Sequence, residues 1–116
     1  MNVRRGFVVI VDFFPTNPRA KVRPALVVQN DRDNARMQST IVVQITSNIS
    51  RSNEDTQYLI DSAHADWAAS GLRLASAINA ANLSTVARQQ ITHVIGGLSI
   101  ATMQQFDANL RAALGL

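Results

Sequence analysis

The chain has 116 residues, of which 47% are hydrophobic, 16% are charged and none is cysteine. This composition predicts one domain, 1–116, with a hydrophobic core, and it argues against a disordered chain. The absence of cysteine excludes disulfides, thiol catalysis and cysteine-ligated zinc, and it favours a reducing cytoplasm.

The charges are unevenly distributed, although the formal net charge is only +3. Residues 1–36 carry seven Lys or Arg against three Asp, whereas residues 52–72 carry four Asp or Glu and no Lys or Arg. A basic end of this kind suits a polyanion such as nucleic acid, and a solvated basic surface explains it equally well. The apolar run 7–11 is too short to cross a bilayer, which favours a cytoplasmic protein with no membrane partner.

The first half of the chain is predicted to be mainly strands. Residues 7–11 are apolar and β-branched, typical of a buried strand, and a loop with two prolines follows at 15–20. A second strand is predicted at 25–29, directly after Arg23 and Pro24, because proline is tolerated at the start of a strand. The remaining predictions in this half are a polar connection at 30–34, a strand at 40–46, a polar loop at 47–55 and an alternating strand at 56–60.

The second half is less uniform. Helix and strand compete over the alanine-rich residues 72–86, whereas 91–95 resembles a short strand closed by two glycines. A helix is predicted to begin after Ser99, a good N-cap, and to end at Gly115. Its apolar stripe and a predicted ion pair follow helical spacing: Met103, Phe106, Leu110 and Leu114 for the stripe, and Asp107 with Arg111 for the pair. Strands followed by a helix predict a bent antiparallel sheet or barrel with a packed helix.

Four segments now make a resemblance visible. "RRGFVVIVDF", "VRPALVVQND", "VVQITS" and "GGLSIATMQQFDANLRAALGL" occur in this order. Over residues 5–116 the chain resembles the MazF/PemK toxins (mRNA interferases) of type II toxin–antitoxin systems. The resemblance implies a mainly β fold with α, an SH3-like, CcdB/PemK-type barrel of antiparallel strands plus a C-terminal helix.

The resemblance also implies an activity. It predicts a cytoplasmic homodimer that cuts single-stranded RNA without a metal or other cofactor, leaving a 2′,3′-cyclic phosphate, and that binds an antitoxin with an acidic C-terminal tail. By the family's pattern, Arg23 and Thr46 are the catalytic pair. The predicted RNA-binding residues are Arg19, Lys21, Ser47 and Asn82.

Elementary chemistry agrees with the roles that the resemblance implies for Arg23 and Thr46. Proline restricts Arg23 to extended geometry, and a positioned guanidinium can meet two phosphate oxygens at once. The Thr46 hydroxyl can donate to the same phosphate. Arginine is a poor general base, and the loop residue His64 is a candidate for that role, although such a histidine is more often structural.

The sequence departs from the family at three places. Phe7 stands where members commonly have Asp after Arg-Gly, residues 82–85 read Asn-Leu-Ser-Thr in place of a Gln-Ile-Arg-Thr-like segment of the RNA groove, and Ala87 replaces an aspartate. Three other functions therefore stay open: a weakened paralogue that binds only RNA or antitoxin, a CcdB-like gyrase-binding toxin, and a plain nucleic-acid-binding barrel.

Overall fold

A computed structural model of the chain describes residues 2–13 and 22–116. The predicted loop at 15–20 therefore lies outside the described residues. The strands are β1 Phe7–Asp12, β2 Val22–Val27, β3 Ser39–Thr46, β4 Gln57–Ile60, β5 Ser76–Ala87 and β6 Ile91–Gly97, and the helices are α1 Asp31–Arg36, α2 Trp67–Ser70 and α3 Ile100–Leu114. The six strands form one antiparallel sheet in the order β4-β5-β3-β2-β1-β6. The predicted mainly β fold with a C-terminal helix is confirmed.

Both faces of the sheet are buried, because neighbouring residues of each strand enter different cores. Val8 and Leu26 pack with Met103 and Phe106 of α3. Residues next to them along the strands belong to a second cluster, whose described members include no helix residue: Val3, Val9, Val11, Phe13, Ala25, Val27, Val42, Val86 and Ile91. Strand residues that pack against one another across a sheet face are typical of a curled sheet, as in a small barrel.

The register between β2 and β3 determines which residues meet at their ends. Ala25 faces Gln44 and Leu26 faces Val43 in an antiparallel ladder. The pairing of these two strands ends at Ala25 and Gln44, and the same register extended by two residues would place Arg23 opposite Thr46. Arg23 and Pro24 lie inside β2 and not ahead of it, so the predicted start of this strand at residue 25 was wrong. Both residues pair with β1, the neighbouring strand.

The predicted polar connection at 30–34 was also wrong, since α1 occupies most of it. The Asn30 side chain accepts a hydrogen bond from the Asp33 backbone N–H at 2.8 Å and so caps this helix. Buried Asn34 fixes the helix to the sheet. Its Oδ1 accepts hydrogen bonds from Gln29 and Thr40, and its Nδ2 donates to the Gln29 carbonyl.

The alanine-rich segment that sequence left undecided is the long strand β5. Ala77, Ile78 and Ala80 are fully buried, because β5 lies between β3 and β4 and packs on the core beneath α3. Val43 faces Leu83 while the next residue, Gln44, faces Asn79, so a bulge at 80–82 interrupts the β3–β5 ladder.

The C-terminal helix forms as predicted, with two differences, one at the end of its apolar stripe and one in its ion pairing. The Ser99 side chain caps its N-terminus, and Gly115 ends it with a φ of 71°. Met103 and Phe106 are buried, whereas Leu114 at the end of the predicted stripe is exposed. Asp107 pairs with Arg5 at 2.5 Å and not with Arg111, because Arg5 reaches across from the start of β1.

A contact between α2 and β6 allows no side chain at two glycines. A Cβ added to Gly71 would lie 2.1 Å from the Ile95 carbonyl oxygen, and one added to Gly96 would lie 2.2 Å from the Ala69 carbonyl oxygen. Gly71 also has a φ of 72° where it ends α2. The chain leaves α2 through this contact, so it fixes where residues 72–75 lie.

Gly71→Ala is expected to destabilise the protein by about 2–5 kcal/mol, combining left-handed backbone strain with a backbone clash. Gly115→Ala is the matched control, because its φ is the same and a Cβ there would meet nothing within 4 Å. It should cost no more than about 1–2 kcal/mol. Urea unfolding of both variants measures the difference, and equal losses would show that the α2–β6 contact is not tight.

Candidate active site

The ends of β2 and β3 open into a pocket of about 860 Å³. Its apolar lining comes from Ile10, Val22, Pro24, Ile45, Leu72, Leu74 and Ile95, and its polar lining from Arg23, Thr46, Ser47, Asn48, Arg73 and Ser76. Ile45 also belongs to the core beneath α3, so the pocket continues from that core. A volume in this range with a few converging polar groups is typical of a ligand site.

Arg23 and Thr46 line this one pocket. They lie just beyond the last β2–β3 pair, Ala25 with Gln44, and the register of that ladder extended by two residues would place them opposite each other, with side chains on the same face. The two residues therefore lie at one surface, as the predicted catalytic pair requires.

The Arg23 guanidinium is well suited to an anionic ligand. Its side chain is exposed, and its Nη1 donates to the Val22 carbonyl oxygen at 3.2 Å. Among residues 2–13 and 22–116, no carboxylate forms a salt bridge with it, and none of the described lining residues is acidic. Its remaining N–H groups are free to bind an anion.

The Thr46 hydroxyl is oriented by the turn that follows β3. Its Oγ1 accepts a hydrogen bond from the Asn48 backbone N–H at 3.1 Å. Because this bond uses a lone pair and not the hydroxyl proton, Thr46 can still donate to a ligand oxygen.

The structure distributes the predicted RNA-binding residues differently. Ser47 lines the pocket beside Thr46. Asn82 lies in the β5 bulge, where its amide donates to Gln44 Oε1, and it does not line the pocket. Arg19 and Lys21 lie outside the described residues.

Arg73, Asn48 and Ser76 line the pocket and were not singled out from sequence. Arg73 is the only Lys or Arg between residues 52 and 87. An isolated arginine directly after an acidic stretch is the signal that would have drawn attention to it, because its charge cannot belong to a general basic surface.

His64, the candidate base, has both ring nitrogens engaged away from the pocket. Nδ1 accepts from the Asp66 backbone N–H at 2.9 Å, so Nε2 carries the proton and faces the Tyr58 hydroxyl at 2.8 Å. Tyr58 in turn donates to Gln105 Oε1 at 2.6 Å, and burial raises the pKa of Tyr58, which keeps that proton in place. This arrangement joins β4 to α3 and fits a structural histidine.

Asp66 ties the segment between β4 and β5 to the start of α3. Its Oδ2 accepts from the Ser99 backbone N–H at 2.8 Å and from Ser99 Oγ at 2.9 Å. Hydrogen bonds from the Thr102 side chain and then from the Ser99 backbone hold the pKa of Asp66 below its ordinary value. Together with the Gly71 contact, this tether positions the loop that brings Leu72 and Arg73 to the pocket.

Two further features of the described part of the chain bear on its partners. No three His, Asp or Glu side chains in it are grouped so that they could hold a metal ion. No helix in it is long and apolar enough to span a membrane.

Comparison with known proteins gives consistent matches. Residues 4–114 match the family described as PemK-like, MazF-like toxins of type II toxin–antitoxin systems. The endoribonuclease EndoA of Bacillus subtilis (strain 168) is 31% identical over 118 residues, which cover 100% of this chain and 97% of EndoA.

Solved structures share the fold. An endoribonuclease from a mycobacterial species, in complex with its cognate antitoxin, is 24% identical with a TM-score of 0.78, covering 98% of this chain and 96% of that one. MazF from Deinococcus radiodurans is 15% identical with a TM-score of 0.76, covering 100% and 99%.

The lowered pKa of Asp66 predicts an acid-sensitive tether. Its contribution to stability is fully present above the unfolded-state pKa of about 3.9, and it is lost as the pH falls through the lower folded-state pKa. Asp66→Asn should therefore destabilise the protein at pH 7, by no more than about 1 kcal/mol because the carboxylate is partly exposed.

The difference between wild type and Asp66→Asn should shrink as the pH falls below about 4. Urea unfolding of both proteins at several pH values tests this expectation. A difference that stays constant down to pH 2.5 would show that the ionised carboxylate does not form the tether.

Proposed function

This chain belongs to the PemK-like, MazF-like toxins of type II toxin–antitoxin systems, and on that premise we propose that it is an endoribonuclease whose pocket cleaves single-stranded RNA. The observation that carries the proposal is the presence of Arg23 and Thr46 in one open pocket. The similarity to EndoA over the whole chain supports the same activity.

The proposed reaction is a transfer within the RNA backbone. The 2′-hydroxyl attacks the adjacent phosphorus, an O2′–P bond forms, and the P–O5′ bond breaks. The hydroxyl proton leaves with a base, and the departing oxygen takes up a proton. The products are a 2′,3′-cyclic phosphate and a 5′-hydroxyl end, with no metal required.

Arg23 and Thr46 would act on the charge that builds up during this transfer. Negative charge develops on the phosphate oxygens, and donors placed there in advance stabilise the transition state more than the ground state. Arg23 supplies a fixed charge with paired N–H groups, and the Thr46 hydroxyl supplies a further donor. Aliphatic residues beside them would reduce the contact of a bound phosphate with water and so strengthen both interactions.

Four other residues would guide the RNA strand. Ser47, which lines the same pocket, would bind a phosphate or sugar next to the proposed catalytic pair. Arg19 and Lys21 would attract backbone phosphates, since they directly precede β2 in the basic N-terminal third. Asn82 would contact RNA farther along the surface of β5 if its hydrogen bond to Gln44 opens.

The partners follow from the family. We propose a cytoplasmic homodimer that is neutralised by an antitoxin with an acidic C-terminal tail. Complexes of similar structures support the antitoxin partner: the mycobacterial endoribonuclease was solved with its cognate antitoxin, and the Deinococcus radiodurans protein as MazE–MazF. An acidic tail complements a pocket whose described charged lining residues are both arginines.

Arg23→Ala is expected to lower the single-turnover rate of RNA cleavage by about 10²–10³-fold, as for loss of a transition-state donor. Thr46→Val, which keeps the shape and removes the hydroxyl, should lower it by roughly 10–100-fold. Cleavage of a long single-stranded RNA in EDTA, followed on sequencing gels, measures both rates.

Two controls make this test specific. Thr46→Ser should retain most of the rate because the hydroxyl is kept. A 2′-deoxy substitution at the cleaved nucleotide should abolish cleavage while the RNA still binds. Wild-type binding without cleavage would contradict the nuclease and favour a binding module, and tight gyrase binding with no effect on RNA would favour a CcdB-like toxin.

The partner proposal predicts that a short protein with an acidic C-terminal tail is encoded next to this chain's own gene, and that protein provides the test. Stoichiometric addition should abolish RNA cleavage, and inhibition should weaken at high salt because the contacts are charged. Light scattering should give twice the mass of one chain for the free toxin. A monomeric mass would contradict the proposed homodimer. Undiminished RNA cleavage in an excess of the neighbouring gene's protein would contradict the proposed antitoxin partner.

A further inference from the structure

Arg73 is the second cation of the pocket and has no assigned role. It lies in the short segment between Gly71 and β5, and its side chain is exposed. Within the described parts of the chain, no residue forms a salt bridge or a side-chain hydrogen bond with it. Its N–H groups therefore face solvent and are available to a ligand that enters the pocket.

Two arginines line the same pocket, and its described lining contains no carboxylate to neutralise them. Their charges repel, although both side chains are exposed and water screens this repulsion. An anionic ligand that contacts both removes this repulsion and fills donors that are otherwise left to solvent. A ligand with two anionic groups at successive positions matches the pocket better than a single anion does.

The β3–β5 register separates Arg73 from the catalytic pair along the pocket. Thr46 faces Ala77, and Arg73 precedes Ala77 by four residues. Strand neighbours are about 5 Å apart, whereas four extended residues span up to about 13 Å, reduced here by a bend at Leu74. Arg73 is therefore expected to lie farther from Thr46 than Arg23 does, because the β2–β3 register extended by two residues would place Arg23 directly opposite Thr46.

We propose that Arg73 binds the RNA phosphate next to the scissile phosphate, so that two successive phosphates occupy the pocket with one arginine each. This inference rests on the proposed nuclease function and adds a substrate-binding residue to it. The backbone that precedes Arg73 is positioned by the Gly71–Ile95 contact and by the Asp66–Ser99 hydrogen bond.

The first test is binding of an RNA whose cleavage site carries a 2′-deoxy substitution. Arg73→Gln should weaken binding by about 5–10-fold in low salt. It should also reduce the slope of log affinity against log salt by about 0.7, the value for one phosphate contact on a single strand. Arg111→Gln, an equal charge change on the exposed face of α3, should leave both quantities near wild type.

The second test neutralises one phosphate at a time with a methylphosphonate, at the positions on either side of the cleaved bond. At one of these positions the methylphosphonate should slow cleavage by the wild type at least 5-fold. Arg73→Gln should cleave this modified RNA no more slowly than it cleaves unmodified RNA. This cycle identifies the contacted phosphate, because removing either partner of one contact costs the same as removing both.

The outcomes distinguish a failure of the proposed role of Arg73 from a failure of the proposed nuclease function. If wild type cleaves RNA and each methylphosphonate slows wild type and Arg73→Gln by the same factor, Arg73 does not bind a neighbouring phosphate and only this inference is overturned. If Arg111→Gln matches Arg73→Gln in salt slope, the effect is general charge, and the inference fails again. If wild type neither cleaves nor binds RNA, the proposed function fails with it.

Discussion

The antiparallel register of β2 against β3 is the constraint on which the proposed chemistry depends. The last pair of this ladder is Ala25 with Gln44. Arg23 lies two residues before Ala25, and Thr46 lies two residues after Gln44, so the register would bring these two residues to the same place. A slip of one residue would turn one of the two side chains to the opposite face. The buried residues Leu26 and Val43 make such a slip costly, so the core protects the geometry of the site.

The other wall of the pocket depends on close backbone packing. Gly71 and Gly96 let α2 lie against β6, and Asp66 binds the start of α3. These contacts give the segment 72–75 a defined path although it belongs to no helix or strand. Arg73 thus reaches the pocket on the segment that follows α2, whereas Arg23 and Thr46 reach it on the ends of β2 and β3. Substituting Arg73, which lies outside the strands, leaves the residues that pair β2 with β3 unchanged.

Local patterns predicted much of this fold, because apolar alternation and capping residues act over a few positions. The strands at 7–11 and 40–46 and the helix that starts after Ser99 are confirmed on those grounds. Non-local competition explains the errors. Asp107 has Arg111 one turn away but pairs with Arg5, which is distant in sequence. The alanines of β5 favour a helix in isolation and become strand only because β3 and β4 flank them. Arg73 was missed because the pairing of β3 with β5 brings it to the pocket, and the residues next to Arg73 in sequence do not reveal that pairing.

The central claim is that Arg23 and Thr46 converge on a single phosphodiester. A crystal structure with an RNA that carries one 2′-deoxy substitution at the cleavage site tests it most directly. The account predicts one phosphate whose oxygens lie about 2.7–3.2 Å from both an Arg23 guanidinium nitrogen and Thr46 Oγ1. An RNA strand bound away from this pocket, or one in which the two side chains contact different phosphates, would contradict it.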